Sequence, residues 1–109
     1  MRKIWIRPRA LQDLLETGSY LSIEAGESVA DRFQDAVEET AQVLLGMPGM
    51  GTVCTFHHPR LKEIRRVPVT GFENWLVFYQ VRNSDIDVIR VLHGARDIAA
   101  IFEEDAHSL

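Results

Sequence analysis

A single cysteine, Cys54, stands in the 109-residue chain. No disulfide can form within it, and a zinc cluster would have to draw on other ligands. A small side chain packed in or beside the core is the ordinary role for such a cysteine. No apolar run approaches the roughly 20 residues that cross a bilayer. The opening Met1-Arg2-Lys3-Ile4-Trp5-Ile6-Arg7-Pro8 is basic but has no apolar stretch behind it, so a signal peptide is not expected and the cytoplasm is. Repeats, linkers and low-complexity tracts are missing, which leaves one domain over residues 1–109. The Gly-containing stretch Met47-Pro48-Gly49-Met50-Gly51 lacks the Lys-Ser/Thr and following helix of a phosphate loop, and reads as a turn. No serine, histidine and acid fall into a nucleophile arrangement. His57 and His58 are neighbours that would point to opposite faces of a strand, so no metal site and no cofactor are expected.

Basic excess is also lacking: the formal net charge is −4. Its distribution says more than its sum. Arg2, Lys3, Arg7 and Arg9 open the chain without an acid among them. Residues 10–59 then carry carboxylates from Asp13 to Glu39 against Arg32 alone, the balance reverses over residues 60–96, and the tail is acidic again. Two electrostatic faces follow, one suited to an anionic or acidic partner. A general nucleic-acid binder is usually basic overall, so the total argues against that class.

What is present reads as α+β. Lys3 to Arg7 alternate as a short strand that Pro8 stops, and Pro8 suits the first turn of a helix. Leu11, Leu14, Leu15 and Leu21 recur at helical spacing over residues 9–25, with Gly18 and Ser19 weakening the middle and Gly26 breaking the run. Ser28, three residues before Asp31, predicts the N-cap of a second helix. Its apolar stripe is Val29, Phe33, Val37, Ala41, Leu44 and Leu45, and Gly46 is the expected left-handed C-terminal residue. The two helices form an antiparallel hairpin that needs a sheet. The period then changes to two. Strands are expected over residues 53–56, 63–69 (with Pro68 at an edge or bulge), 74–81 and 86–92, the last two joined by a turn at Asn83-Ser84-Asp85. A short helix or turn over residues 96–104 ends the chain. The expected architecture is an N-terminal strand, a helical hairpin, a three- or four-stranded antiparallel sheet and a short terminal helix.

One constellation of polar residues falls near the final strands: Arg65, Tyr79, Arg90, His93 and Arg96. Two roles are open for it. As an anion site, its arginines would clamp phosphate or carboxylate while His93 moves a proton near neutral pH. As structure, Arg65, Arg90 and Arg96 would pair with Glu63, Asp87 and Asp97. Trp5 and Trp75 are similarly open between core packing and a partner's groove.

Six blocks, in order along the chain, resemble the ParE branch of the RelE/ParE superfamily of bacterial type II toxins. They are Arg9-Ala10-Leu11-Gln12-Asp13-Leu14, Ala30-Asp31-Arg32-Phe33, Pro48-Gly49-Met50-Gly51, Ile64-Arg65-Arg66-Val67-Pro68-Val69, Asn74-Trp75-Leu76-Val77-Phe78-Tyr79, and Ile89-Arg90-Val91-Leu92-His93-Gly94-Ala95-Arg96-Asp97-Ile98. The resemblance implies a strand–helix–helix–sheet fold and a toxin neutralised by a small ParD-like antitoxin. That antitoxin would meet the helical hairpin and outer sheet at Leu11, Leu15, Phe33, Val37 and Trp75. DNA gyrase is the target that a ParE-like member implies, with Arg65, Arg90 and Arg96 as target- or anion-binding residues. A RelE-like member would instead cut mRNA on the ribosome, with Arg65, Tyr79, His93 and Arg96 as catalytic residues. An inactive homologue kept as a binding partner is the third reading. Gln80 stands where many relatives carry arginine, and the acidic total opposes RNA binding.

Overall fold

Pro8 sets the first boundary. The strand β1 (Ile4–Ile6) ends just before it, and Pro8 sits in the first turn of helix α1 (Pro8–Ala25). There its missing N–H leaves nothing unpaired and its fixed φ already matches the helix. The computed structural model describes residues 2–107. Helix α1 runs unbroken through Gly18 and Ser19 to Ala25, and α2 (Glu27–Gly46) begins one residue later. Gly26, with φ +99°, caps both: its N–H donates to the Ser22 carbonyl, and its own carbonyl accepts from Val29 and Ala30. Reversing the chain on one residue needs a left-handed φ, which glycine adopts without strain. The expected Ser28 cap is therefore corrected; Ser28 lies inside the helix and no side chain caps it. Gly46 is likewise not left-handed. It closes the last turn of α2, and the Met47 N–H still bonds back to Val43.

The hairpin presents its apolar stripe to the sheet. Phe33, Ala36, Val37, Ala41 and Leu44 of α2 are buried, as are Ala10 and Leu21 of α1. Leu11 and Leu15 face outward, because the inward positions of α1's first turns are Ala10, Asp13 and Leu14.

Five strands form one mixed sheet in the order β1-β5-β4-β3-β2. The long hairpin of β4 (Phe72–Arg82) and β5 (Asp85–His93) is its centre. Asn83 and Ser84 connect them with φ of 51° and 71°, and Arg82 pairs with Asp85. Two left-handed residues between paired positions make a type I′ turn, whose twist matches that of the flanking strands. Strand β3 (Arg65–Val69) pairs antiparallel with β4, and β2 (Thr52–Val53), shorter than expected, covers only Arg65 and Arg66 on β3's outer edge. Pro68 lies beyond that cover, beside a register shift, where its missing N–H costs no ladder bond. Strand β1 adds parallel to β5, so the sheet is mixed rather than wholly antiparallel.

Both faces of the central strands are covered. Val67, Val77, Tyr79, Val88 and Val91 meet the helical hairpin, while Phe78 and Leu92 meet Leu61, Ile64 and the last helix, α3 (Ile98–His107). Double burial explains why Trp75 to Tyr79 read as a near-continuous apolar run. Trp5 belongs to neither core. It is 54% exposed and held by a bond from its indole N–H to Asp85.

Candidate functional site

Arg90 is the first candidate to leave the surface. It is 1% exposed. Its Nε and one terminal nitrogen grip both oxygens of Asp13 at 2.7 and 2.9 Å, and the other terminal nitrogen reaches Asp105 at 2.6 Å. Asp13 also accepts the backbone N–H of Val91 at 3.0 Å. Strand β1 stops at Ile6, so a carboxylate from α1 takes an amide of β5 beyond its reach. Burial works against the guanidinium charge, but bonds from Asp13 and Asp105 outweigh it and push the Arg90 pKa up. The expected anion-binding role of Arg90 is corrected: its fork is filled by two carboxylates that tie α1, β5 and α3 together. Asp87, the partner expected for it, instead receives Arg7 at 2.8 Å and Arg82 at 3.4 Å.

Arg65 and Tyr79 are cross-strand partners, and both hold the turn at residues 48–51. The Tyr79 hydroxyl donates to the Pro48 carbonyl at 2.8 Å and accepts the Gly51 N–H at 2.9 Å. Arg65 donates to the carbonyls of Gly51 and Gly49 at 2.7 and 3.2 Å. Gly51 is obligatory there, since a Cβ would come within 2.6 Å of the Tyr79 oxygen and 2.9 Å of the Arg66 carbonyl. Desolvation raises the Tyr79 pKa, opposed by the Gly51 bond and the Arg65 charge. A fully buried hydroxyl used in both directions is part of a loop anchor.

His93 lies at the other end of the β4/β5 hairpin, opposite Trp75, with the rings edge to face at 4.7 Å. Its Nδ1 accepts the Ala95 N–H at 3.0 Å. Tyr79 and Trp75 are four residues apart on β4, so His93 and Tyr79 stand roughly 13 Å apart along the strand. Arg96 follows the turn after β5 and is exposed. Of the four residues expected for nuclease chemistry, Arg65 and Tyr79 form one pair, and His93 and Arg96 share a turn farther along the hairpin, where the Arg96 N–H donates to the His93 carbonyl at 3.1 Å. Of the residues expected to meet an antitoxin, Phe33 and Val37 are corrected to core, at 1% and 3% exposure. Phe33 packs edge-on against Phe72 and Trp75. Trp75 is half-buried, and Leu11 and Leu15 are open to solvent.

The cations gather elsewhere. A groove of about 870 Å³ runs between the start of α1, the 3-10 turn Pro59–Leu61, β4, β5 and α3. Arg7, Arg9, Arg60, Arg82, Arg90 and Arg96 line it, facing Glu104 and Asp105. Apolar side chains, Leu61, Ile64, Ile89, Ile101 and Phe102, form its floor. Arg9 donates to Gln12 at 2.6 Å and Arg82 to Gln80 at 3.1 Å, while Arg7 is bound to Asp87 through two nitrogens. Gln80 itself lines this groove as a neutral side chain, donating to the Lys62 carbonyl at 2.8 Å. Arg7, Arg9, Arg60 and Arg82 stand in no motif that marks them as site residues; the charge reversals along the chain are their one trace in the sequence. Among the described residues, no histidine, cysteine or tyrosine lines the groove. Guanidinium groups there can hold anions, but they do not exchange protons near neutral pH. Cys54 lies in a separate, smaller pocket, where burial raises its thiol pKa against the lowering effect of Arg66.

Comparison with known proteins agrees with this architecture. A chain of the structure described as the chromosomal ParDE TA system from P. aeruginosa superposes with a TM-score of 0.68 at 15% identity, covering 85% of this chain and 96% of that one. That likeness is one of fold. No curated protein matches the chain. The family described as ParE toxin of type II toxin-antitoxin system, parDE, matches residues 4–98. Spanning β1 to the first residue of α3, the match shows that the chain belongs to the ParE toxin family.

Proposed function

We propose that this chain is a toxin that arrests growth by binding rather than by cleaving RNA, with DNA gyrase as its target and a small ParD-like antitoxin as its inhibitor. The observation that carries the reading is the dispersal of the candidate proton-transfer set. Tyr79 and Arg65 anchor a loop, and His93 stands roughly 13 Å away along the strand. The net charge of −4 supports the same side, because ribosomal RNA would repel it. Leu11 and Leu15, exposed on α1, and the half-buried Trp75 are the members of the expected antitoxin set that a partner can reach. With these partners, the protein would act in the cytoplasm.

The test is expression of the chain followed by two readouts from the same cells. Gyrase poisoning yields broken chromosomal DNA, and the purified chain inhibits supercoiling in a gyrase reaction. Primer extension on abundant mRNAs then shows no codon-phased ends. Phased ends with normal supercoiling would overturn the reading.

A further inference from the structure

The smaller pocket holds a cation that no neighbour neutralises. It opens between the β2 edge of the sheet and the start of α3, with a volume of about 250 Å³, and among the described residues it shares no lining with the arginine groove. Val53, Phe56 and Ile98 form apolar walls above Phe78. The packing of Phe56 on Phe102 at 4.7 Å, and of Phe102 on Phe78 at 5.0 Å, fixes the inner wall. Among the described residues, Arg66 is the one charged side chain in the lining. It is the cross-strand partner of Phe78, so both side chains leave the sheet on the α3 face. The neighbouring Arg65 gives its guanidinium to two carbonyls, and Arg90 gives its own to two carboxylates. Arg66 is exposed and makes no side-chain hydrogen bond or ion pair with any described residue. Burial raises the pKa of the Cys54 thiol in the same lining and the Arg66 charge opposes it, so the guanidinium acts on the pocket's interior.

An unfilled guanidinium fork beside apolar walls selects a molecule with a carboxylate at one end and a short apolar body at the other. Size narrows the class. At about 30 Å³ for each water-sized unit, the pocket takes roughly eight non-hydrogen atoms. We infer that the pocket binds a small free monocarboxylate of that size, its carboxylate on Arg66 and its aliphatic chain between Phe56 and Ile98. Three alternatives fit less well. A neutral apolar molecule leaves Arg66 unanswered. Inorganic phosphate answers it but leaves the apolar walls wet. The C-terminal residue of a peptide carries both groups, but with its amide and the chain behind it exceeds the space. Because the walls belong to both the sheet and α3, the bound molecule joins them and opposes the opening of α3.

Cys54, the only cysteine, lies in the lining and reports on occupancy. The experiment follows its alkylation by iodoacetamide in the full chain, read by intact mass. The probe is hexanoate; the controls are hexanol, inorganic phosphate and N-acetyl-leucine. Hexanoate slows alkylation saturably, with half its effect at or below about 1 mM, and each control needs about tenfold more or worse. In Arg66→Gln the half-effect concentration of hexanoate rises about tenfold or more, while circular dichroism melting matches wild type. Comparing each protein with and without hexanoate removes the direct effect of the Arg66 charge on the thiol. A second readout does not use the cysteine: in Cys54→Ser hexanoate raises the thermal midpoint, and adding Arg66→Gln removes the rise. Failure of hexanoate to protect overturns the inference, as does equal protection by hexanol or by phosphate, or undiminished protection in Arg66→Gln. Equal protection by N-acetyl-leucine overturns it in favour of a peptide terminus. None of these readouts involves growth arrest, so the toxin reading and this one stand or fall separately.

Discussion

Arg90 has given up its hydrogen-bonding capacity to Asp13 and Asp105, and the consequence is measurable. Arg90→Ala leaves a buried carboxylate without its cation and is expected to destabilise the fold by about 3–5 kcal/mol in urea unfolding. A cost below about 1 kcal/mol would mean that the pair is loosely held. Tyr79 gives a pH signature. Its raised pKa means that the neutral phenol is the form the fold stabilises. That contribution is therefore fully present below the ordinary tyrosine value and lost as pH rises through the folded one. In a Tyr20→Phe background, which leaves one tyrosine, absorbance at alkaline pH should show it titrating above about 10. Gly51→Ala should unseat the same loop, because the new methyl meets backbone as well as the hydroxyl. At this scale the sequence revealed kinds of interaction rather than partners. Ion pairing was one of the two readings of Arg90, but Asp13 lies 77 residues away, and only the packing of α1 on β5 brings it there.

Elements were more legible than their joints. Alternation and apolar runs located β4, β5 and the helical stripe, because periodicity is a property of many residues at once. Caps depend on one φ angle, and Gly26 took the work expected of Ser28. The β4/β5 turn offers a direct check. Ser84 holds φ at 71° with a side chain that disfavours it. Ser84→Gly should raise stability by roughly 0.5–1 kcal/mol, seen as a higher thermal midpoint. A fall would show that the serine makes an interaction worth more than its strain. Helix α3 depends on Phe102, which stacks on Phe56 at 4.7 Å and tilts against Phe78 at 5.0 Å. Phe102→Ala should cost about 3–5 kcal/mol. Native-state hydrogen exchange in that variant should show α3 opening before the hairpin, since α1 and α2 pack on the opposite face.

Across the whole molecule, charge is sorted by topology. Arg7 and Arg9, Arg60, Arg82 and Arg96 come from four separate stretches of sequence and meet on one groove, while the exposed carboxylates of α2 project from the hairpin. The reversals of charge along the chain hinted at two faces, but no linear pattern could show that β1 adds parallel to β5 and brings the N-terminal arginines beside Arg82. The same topology sets His93 roughly 13 Å along the strand from Tyr79. The most direct measurement is growth after induction of His93→Ala beside wild type, with matched soluble protein. Binding-type action predicts equal arrest by both. Loss of arrest in the variant, together with loss of phased mRNA cuts that wild type makes, would contradict it.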